Sequence, residues 1–366
     1  MSLRFITPVD GQFLTDTAGI RCGNTLAVDV AVEGAPDRKV FICNRPAEYK
    51  DGAYHAIVEL DGYRNTLEAC VFCEDGADDD CVTAGVYWIP EATKKFALSV
   101  DDNVWWLQDL TRNQYASIFD NPYLRVYKDA HDKYGVKVRF NLFYATNRAG
   151  GFNLSQMTDR YKTEFLKNHN WLHLAFHSDF EFPAYPYSQT TYQKLKYDYE
   201  RINSEVKRFA GFELEPCTTI HFGSGNRQAV RAIRARGVHT LMGYMEVKDG
   251  RSFVSYYLSP EEVAKVNEYG FWKDHREDMI YGRIDCVLNL YQPDGIVQHL
   301  DECCKRFPKK GYVEIMIHEQ YFYDDYVAYM PNYRERVFAG VEWCVNHGYT
   351  PMFTCEATAP WIPAAE

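Results

Sequence analysis

Phe96-Ala97-Leu98-Ser99-Val100-Asp101-Asp102 is the stretch on which the reading of this chain turns. A short, mostly apolar run reads as a strand, and here it runs straight into two adjacent carboxylates. Other runs of the same kind also end at residues that ligate metals or move protons. Trp171 to Phe176 leads into His177, Cys217 to Phe222 carries His221 near its end, and Tyr312 to Ile317 leads into His318. If these strands are parallel, all four clusters lie at their C-terminal ends, where the βα loops of a parallel barrel converge on an active site.

The segments between them support parallel strands. Asn121-Pro122 caps and opens a helix that stops at Gly135, and Val136 to Tyr144 reads as the next strand. Over residues 191–210, Leu195, Tyr199, Ile202, Val206 and Phe209 form one helical stripe, ended by Gly211. A helix from Asn226 to Arg236 closes at Gly237, His239 to Tyr244 reads as a strand, and residues 332–347 as a helix closed by Gly348. Strands alternating with helices imply crossover connections, and so a barrel or an open α/β sheet.

Residues 1–90 read differently. Leu26, Val28, Val30 and Val32 alternate with Ala27, Asp29, Ala31 and Glu33, the period of a half-buried strand. Short β-rich runs follow at Val40 to Ile42, Tyr54 to Leu60 and Thr66 to Phe72, with turn signals at Asp51-Gly52 and Asp61-Gly62. This spacing predicts a small all-β sandwich over 1–90, joined through a linker near Trp88 to Thr93 to an α/β unit over 91–366. The composition break predicts that the α/β unit folds without the first 90 residues.

Composition narrows the function classes. The 366 residues are 46% hydrophobic and 25% charged, ordinary for a globular chain. A net charge of -11 argues against nucleic acid, whose phosphates demand a basic surface. Asp78-Asp79-Asp80 is read as a solvated turn. The 11 cysteines are scattered; Cys70 and Cys73 have a CxxC-like spacing without a second pair and are read as packed thiols, and Cys303-Cys304 as lying on a helix. Free thiols suit a reducing cytoplasm, and no stretch reads as a signal core or a membrane span. The expectation is a cytoplasmic protein without a membrane partner, secretion remaining open.

Taken singly, each candidate residue has an ordinary reading. An Asp-Asp pair commonly sits in a turn. His177 and Glu181 stand four apart, but with 11 histidines one such spacing arises by chance. His173 pairs with His177 at the same interval, but would lie deep in the barrel as a hydrogen-bonded core residue. What sets these residues apart is that all four clusters occur at strand ends.

Phe96 to Asp102 resembles the first motif of the polysaccharide deacetylase (NodB-homology, carbohydrate esterase) family, in which the first Asp is the catalytic base and the second binds the metal. His177-Ser178-Asp179-Phe180-Glu181 resembles the second motif, whose two histidines are ligands, with Glu181 standing at the second. Val313 to His318 resembles the last motif, which ends in the general-acid histidine. The resemblance spans residues 95–355 and implies a distorted (β/α)7 barrel; the N-terminal unit resembles the immunoglobulin-like modules attached to carbohydrate enzymes. Thr219-Ile220-His221-Phe222-Gly223 stands where the family has Arg-x-Pro-Tyr, so the arginine that braces the base is replaced by Thr219, and Asp285 is the nearest counterpart of the Asp that tunes the acid. This is the pattern of a divergent member.

The resemblance implies a metal-dependent hydrolase that removes acetyl groups from an acetylated sugar, with Asp101 and His318 catalytic. Asp102, His177 and Glu181 would hold a divalent metal, zinc first and Mn, Fe, Co or Ni as alternatives, with His221 as a further metal or substrate contact. Trp105, Trp106, Tyr321 and Tyr323 lie near these strand ends and are candidate platforms for a sugar ring. Two other classes remain: a carbohydrate-binding protein whose barrel has lost catalysis, favoured by the missing arginine, and a non-haem iron enzyme, since His/carboxylate sites suit that metal.

Overall fold

A computed structural model describes residues 2–72 and 81–359. Cys73 and Asp78-Asp79-Asp80 lie outside the described residues.

The first part of the chain forms two five-stranded sheets. Thr25–Glu33 pairs antiparallel with Arg4–Thr7, Ile20–Cys22 and Ala53–Leu60, and the last pairs with Glu48–Lys50. Arg64–Val71 lies between Cys81–Trp88 and Val40–Ile42 in the second sheet. The alternation read from the sequence decides which face is covered. Leu26, Val28, Val30 and Val32 are all buried, in one apolar cluster with Leu67, Ala69, Val71 and Val86 of the other sheet.

Cys70 and Cys81 correct the reading of the cysteines as free thiols. They face each other across the antiparallel pair Arg64–Val71 and Cys81–Trp88, and form a disulfide. The register brings their Cα atoms to 4.2 Å, within reach of one disulfide, and the partner of Cys70 is not Cys73, three residues on.

From residue 95 the chain is mixed α/β. One parallel sheet runs in the order Leu172–Ser178, Val138–Phe143, Lys95–Asn103, Tyr312–His318, Cys286–Val287, and Thr350–Pro351 also pairs with the start of Lys95–Asn103. A second holds Cys217–Thr218, Thr240–Gly243 and Met279–Arg283 in parallel, with Phe271–Asp274 antiparallel at its edge. The two ladders are separate. A backbone hydrogen bond from Glu215 N to Leu174 O (2.9 Å) runs between them, and the chain passes directly from Met279–Arg283 of the second to Cys286–Val287 of the first.

The helices follow their local signals. Pro122–Tyr134 starts where the Asn121 side chain accepts from Leu124 N and stops at Gly135, whose φ is 70°. Tyr192–Phe209 buries Leu195, Tyr199, Ile202, Val206 and Phe209 on one stripe. Cys303 and Cys304 lie in Pro293–Arg306, as expected. The strand expected over Cys217 to Phe222 is cut to Cys217–Thr218, because the chain turns at Phe222 (φ 60°) and Gly223 (φ 54°).

The segment read as a linker is packed. Trp88, Ile89 and Ala92 are buried. Phe13, Tyr87 and Ile89 share an apolar cluster with Met242, Phe271, Tyr312 and Met316 of the α/β part. At the same contact Lys273 N donates to Gly11 O, and a Cβ at position 11 would stand 2.3 Å from that residue's carbonyl, so only glycine fits.

Candidate active site

In a regular strand Asp101 and Asp102 would point to opposite faces. The pairing of Lys95–Asn103 with Val138–Phe143 instead shifts register between Val100 and Asn103, and Asp102 takes a left-handed φ of 67°. This bulge re-aims the backbone, and both carboxylates line one cavity of about 450 Å³ together with His177, Glu181, His221 and His318.

Three of these side chains meet. His177 Nε2 lies 2.9 Å from Asp102 Oδ1, and His221 Nδ1 lies 3.1 Å from His177 Nε2 and 3.2 Å from Asp102 Oδ1. The opposite ring nitrogens each face a carbonyl, which only accepts: His177 Nδ1 donates to Thr219 O (2.5 Å) and His221 Nε2 to Glu181 O (2.9 Å). Those bonds place the ring protons outward. Two bare imidazole lone pairs and a carboxylate oxygen then face one another, an arrangement that needs a cation between them. Ligands about 2.0–2.1 Å from a tetrahedral zinc stand roughly 3.3 Å apart, close to the separations found here. The outer hydrogen bonds hold both rings in that orientation.

The charges tell the same story. Burial would raise the Asp102 carboxyl, but His177 and His221, once protonated on the nitrogens that face it, outweigh burial and hold the group well below the usual carboxylate range. Burial would lower His177, but the charge of Asp101 and the bond to Asp102 outweigh it and raise the imidazole. The site attracts positive charge, whether a proton or a metal ion.

Glu181 stands outside this cluster. The strand ends at Ser178, whose hydroxyl donates to Phe180 O, so the chain has left β geometry before Glu181 and the four-residue spacing no longer aligns two side chains. Glu181 contributes its main-chain carbonyl to His221, and its half-buried carboxyl is raised by burial and by the charge of Asp102. The sequence suggested Asp102, His177 and Glu181 as ligands; the three side chains whose ligand atoms lie within 4.8 Å of one another are Asp102, His177 and His221.

Asp101 and His318 flank the cluster. Asn141 Nδ2 donates to Asp101 Oδ1 (2.5 Å), while Asn141 Oδ1 accepts from Thr218, so a neutral amide braces this carboxylate. His318 Nδ1 is 2.8 Å from Asn289 Oδ1, which leaves Nε2 free. Asp285 does not reach His318. It pairs with Lys310 and accepts from Glu314 N.

Of the four aromatics read as sugar platforms, Tyr321 alone lines the cavity. Trp106 is fully buried with Nε1 on Asn103, and Trp105 packs against Tyr323 under the Arg148 guanidinium. Tyr323 donates to Glu319. Trp105 and Trp106 open the helix Trp105–Asn113, and the apolar stripe of that helix turns them inward. The rings at the rim come from elsewhere. Phe182 (66% exposed) and Phe222 (37% exposed) line the cavity, and Tyr185 packs against Phe222 with ring centroids 4.8 Å apart. Their signal was the aromatic and proline run Phe180-Glu181-Phe182-Pro183-Ala184-Tyr185-Pro186-Tyr187 directly after His177-Ser178. Thr219 and Gln320 also line the cavity, and each keeps a buried side-chain oxygen without a hydrogen bond.

No family model and no curated protein matches this chain. Solved structures with some likeness include a polysaccharide deacetylase from Bacillus cereus (10% identity, 67% of this chain and 99% of that one, TM-score 0.27). Two others are proteins from Bacteroides fragilis provisionally assigned as alpha-galactosidases. One has 10% identity, covers 95% of this chain and 79% of its own, and has a TM-score of 0.29; the other has 9%, 66%, 56% and 0.18. At such TM-scores the likeness carries no argument about fold or chemistry.

Proposed function

We propose that this chain is a metal-dependent hydrolase that removes an acyl group, with an acetylated carbohydrate as substrate, and that its two parallel sheets form a distorted (β/α)7 barrel behind an immunoglobulin-like unit. The observation that carries the reading is the meeting of Asp102, His177 and His221 around one point, with Asp101 and His318 on the same cavity.

A divalent metal held by these three side chains would supply Lewis acidity to the acyl oxygen and to the attacking water. Asp101, fixed by Asn141, takes the proton from that water. His318, oriented through Asn289 and protonated at Nε2, donates to the departing amine or alcohol. Phe182, Phe222 and Tyr321 offer apolar faces to a sugar ring.

Two histidines and one carboxylate also form the triad of non-haem iron oxygenases, and this ligand set favours that second reading. A carboxylate and an imidazole placed for proton transfer are what hydrolysis requires, so the hydrolase reading is preferred. The test is metal content together with acetate release from N- and O-acetylated sugars. Asp101→Asn should keep its metal and lose about 10²-fold or more in turnover. No metal in protein purified without chelator, or oxygen consumption without acetate release, overturns the proposal.

A further inference from the structure

At the opposite ends of the parallel strands a second cluster of ligating side chains has no part in the reaction above. His173 lies at the start of strand Leu172–Ser178, Glu215 lies ahead of Cys217–Thr218, and Cys355 lies on helix Thr354–Thr358. We propose that His173, Glu215 and Cys355 bind a second transition-metal ion, which ties this C-terminal helix to the strand ends.

One ligand atom from each of the three lies within 4.8 Å of the other two. His173 Nδ1 is 3.2 Å from Glu215 Oε2, and its ring is stacked on Phe353 at 3.5 Å, which fixes its direction. The Glu215 side chain is 1% exposed, and its other oxygen, Oε1, is buried without a hydrogen bond, 4.0 Å from Arg139.

Charge points the same way. Arg139 is already paired with Glu314 at 2.5 Å, and both are buried. Arg139 is thus shared by two buried carboxylates, and the remaining compensation of Glu215 comes from His173. A dication bound by Glu215, the Cys355 thiolate and neutral His173 brings the group, with Arg139 and Glu314, to zero. On binding, the thiol proton leaves to solvent and the sulfur lone pair forms the metal bond. His173 and Cys355 are half-buried, which leaves an entry path. Imidazole with thiolate selects zinc or cobalt over magnesium or calcium, and water completes the shell.

Cobalt distinguishes this site from the catalytic one, which contains no sulfur. The full-length chain loaded with Co(II) should bind two equivalents and show a sulfur-to-cobalt charge-transfer band in the near ultraviolet. Asp102→Ala should lose one equivalent and keep the band. Cys355→Ser should lose the band, and the double variant Cys70→Ser/Cys81→Ser should keep it. Should Cys355→Ser fail to fold by circular dichroism, His173→Ala keeps the sulfur and should weaken cobalt binding more than about 100-fold in chelator competition, beyond what loss of an outer hydrogen bond alone costs. A wild-type protein without the band, a band that survives Cys355→Ser, or unchanged affinity in His173→Ala overturns the proposal.

Discussion

At the scale of single residues, the candidate site depends on one backbone irregularity and on where ring protons go. The left-handed Asp102 turns the second carboxylate towards the first, and two carbonyls, of Thr219 and Glu181, fix the histidine tautomers. Glu181 acts there through its main chain, so Glu181→Gln should leave metal content unchanged, whereas His221→Ala should lose the ion; elemental analysis of both variants checks this. Loss of metal in Glu181→Gln would restore the carboxylate to the ligand set. His239 is a separate residue with a pH signature. It is 5% exposed, and burial, with the charge of Arg234, lowers it from 6.5 to about 4. The unfolded chain therefore takes up a proton near 6.5 that the folded chain refuses until about 4. Stability is held above 6.5 and is lost as pH falls through that window, by at most about 3 kcal/mol. Urea unfolding between pH 4.5 and 7 should show a shallower loss in His239→Gln than in wild type; equal slopes would count against this assignment.

At the scale of elements, the site is held by a buried cap. Glu319, next to His318, has its carboxylate over the start of helix Trp105–Asn113. It accepts from Val104 N (2.6 Å), Trp105 N (2.9 Å), Trp106 N (2.6 Å) and Tyr323 OH (3.1 Å). The first turn of a helix leaves N–H groups without intrahelical partners, and a carboxylate there also meets the positive end of the helix dipole. The helix therefore locks the end of the Asp101-Asp102 strand to the strand that carries His318. Glu319→Ala strands four donors in the interior and should cost at least about 3 kcal/mol in urea unfolding, with Glu319→Gln intermediate. A cost within 1 kcal/mol would mean that water replaces the carboxylate. This cap was not legible in the sequence, because its partners are more than 200 residues apart. The ends of Pro122–Tyr134 were legible, because Asn121 and Gly135 act on their own neighbours.

At the scale of the whole molecule, the N-terminal sheets are seated on the α/β part. Tyr269 packs into their core, Thr7 Oγ1 meets Tyr269 OH (2.9 Å), Trp272 Nε1 donates to Asp10 O (2.8 Å) and Tyr63 OH to Thr358 O (2.8 Å). Removing residues 1–90 would uncover Phe271, a buried side chain that packs against Phe13 and is worth about 1.5–3 kcal/mol. This interface weighs against the independence that the composition break suggested. A chain starting near residue 95 should be insoluble or unfold several degrees lower than the full protein. A soluble product with the full melting temperature would show that the interface is dispensable.

The sequence by itself determined what is local: strand faces with a period of two, helix ends with a cap and a glycine, and chemically able residues at strand ends, Asp101, Asp102, His177, His221 and His318. Tertiary structure decided which of them meet. His221 and Glu181 both follow strands by a few residues, and nothing in their neighbours distinguishes a ring turned inward by the Phe222-Gly223 bend from a carboxylate carried off in a loop. The same holds for Trp106, an aromatic beside the site in sequence yet buried in space, and for Cys70, whose partner lies across a strand pair. Local preferences arise from each residue's own backbone and a few neighbours, and so are written in order along the chain. Ligand sets, caps and interfaces depend on distances between strands and helices, which exist only once the core has packed.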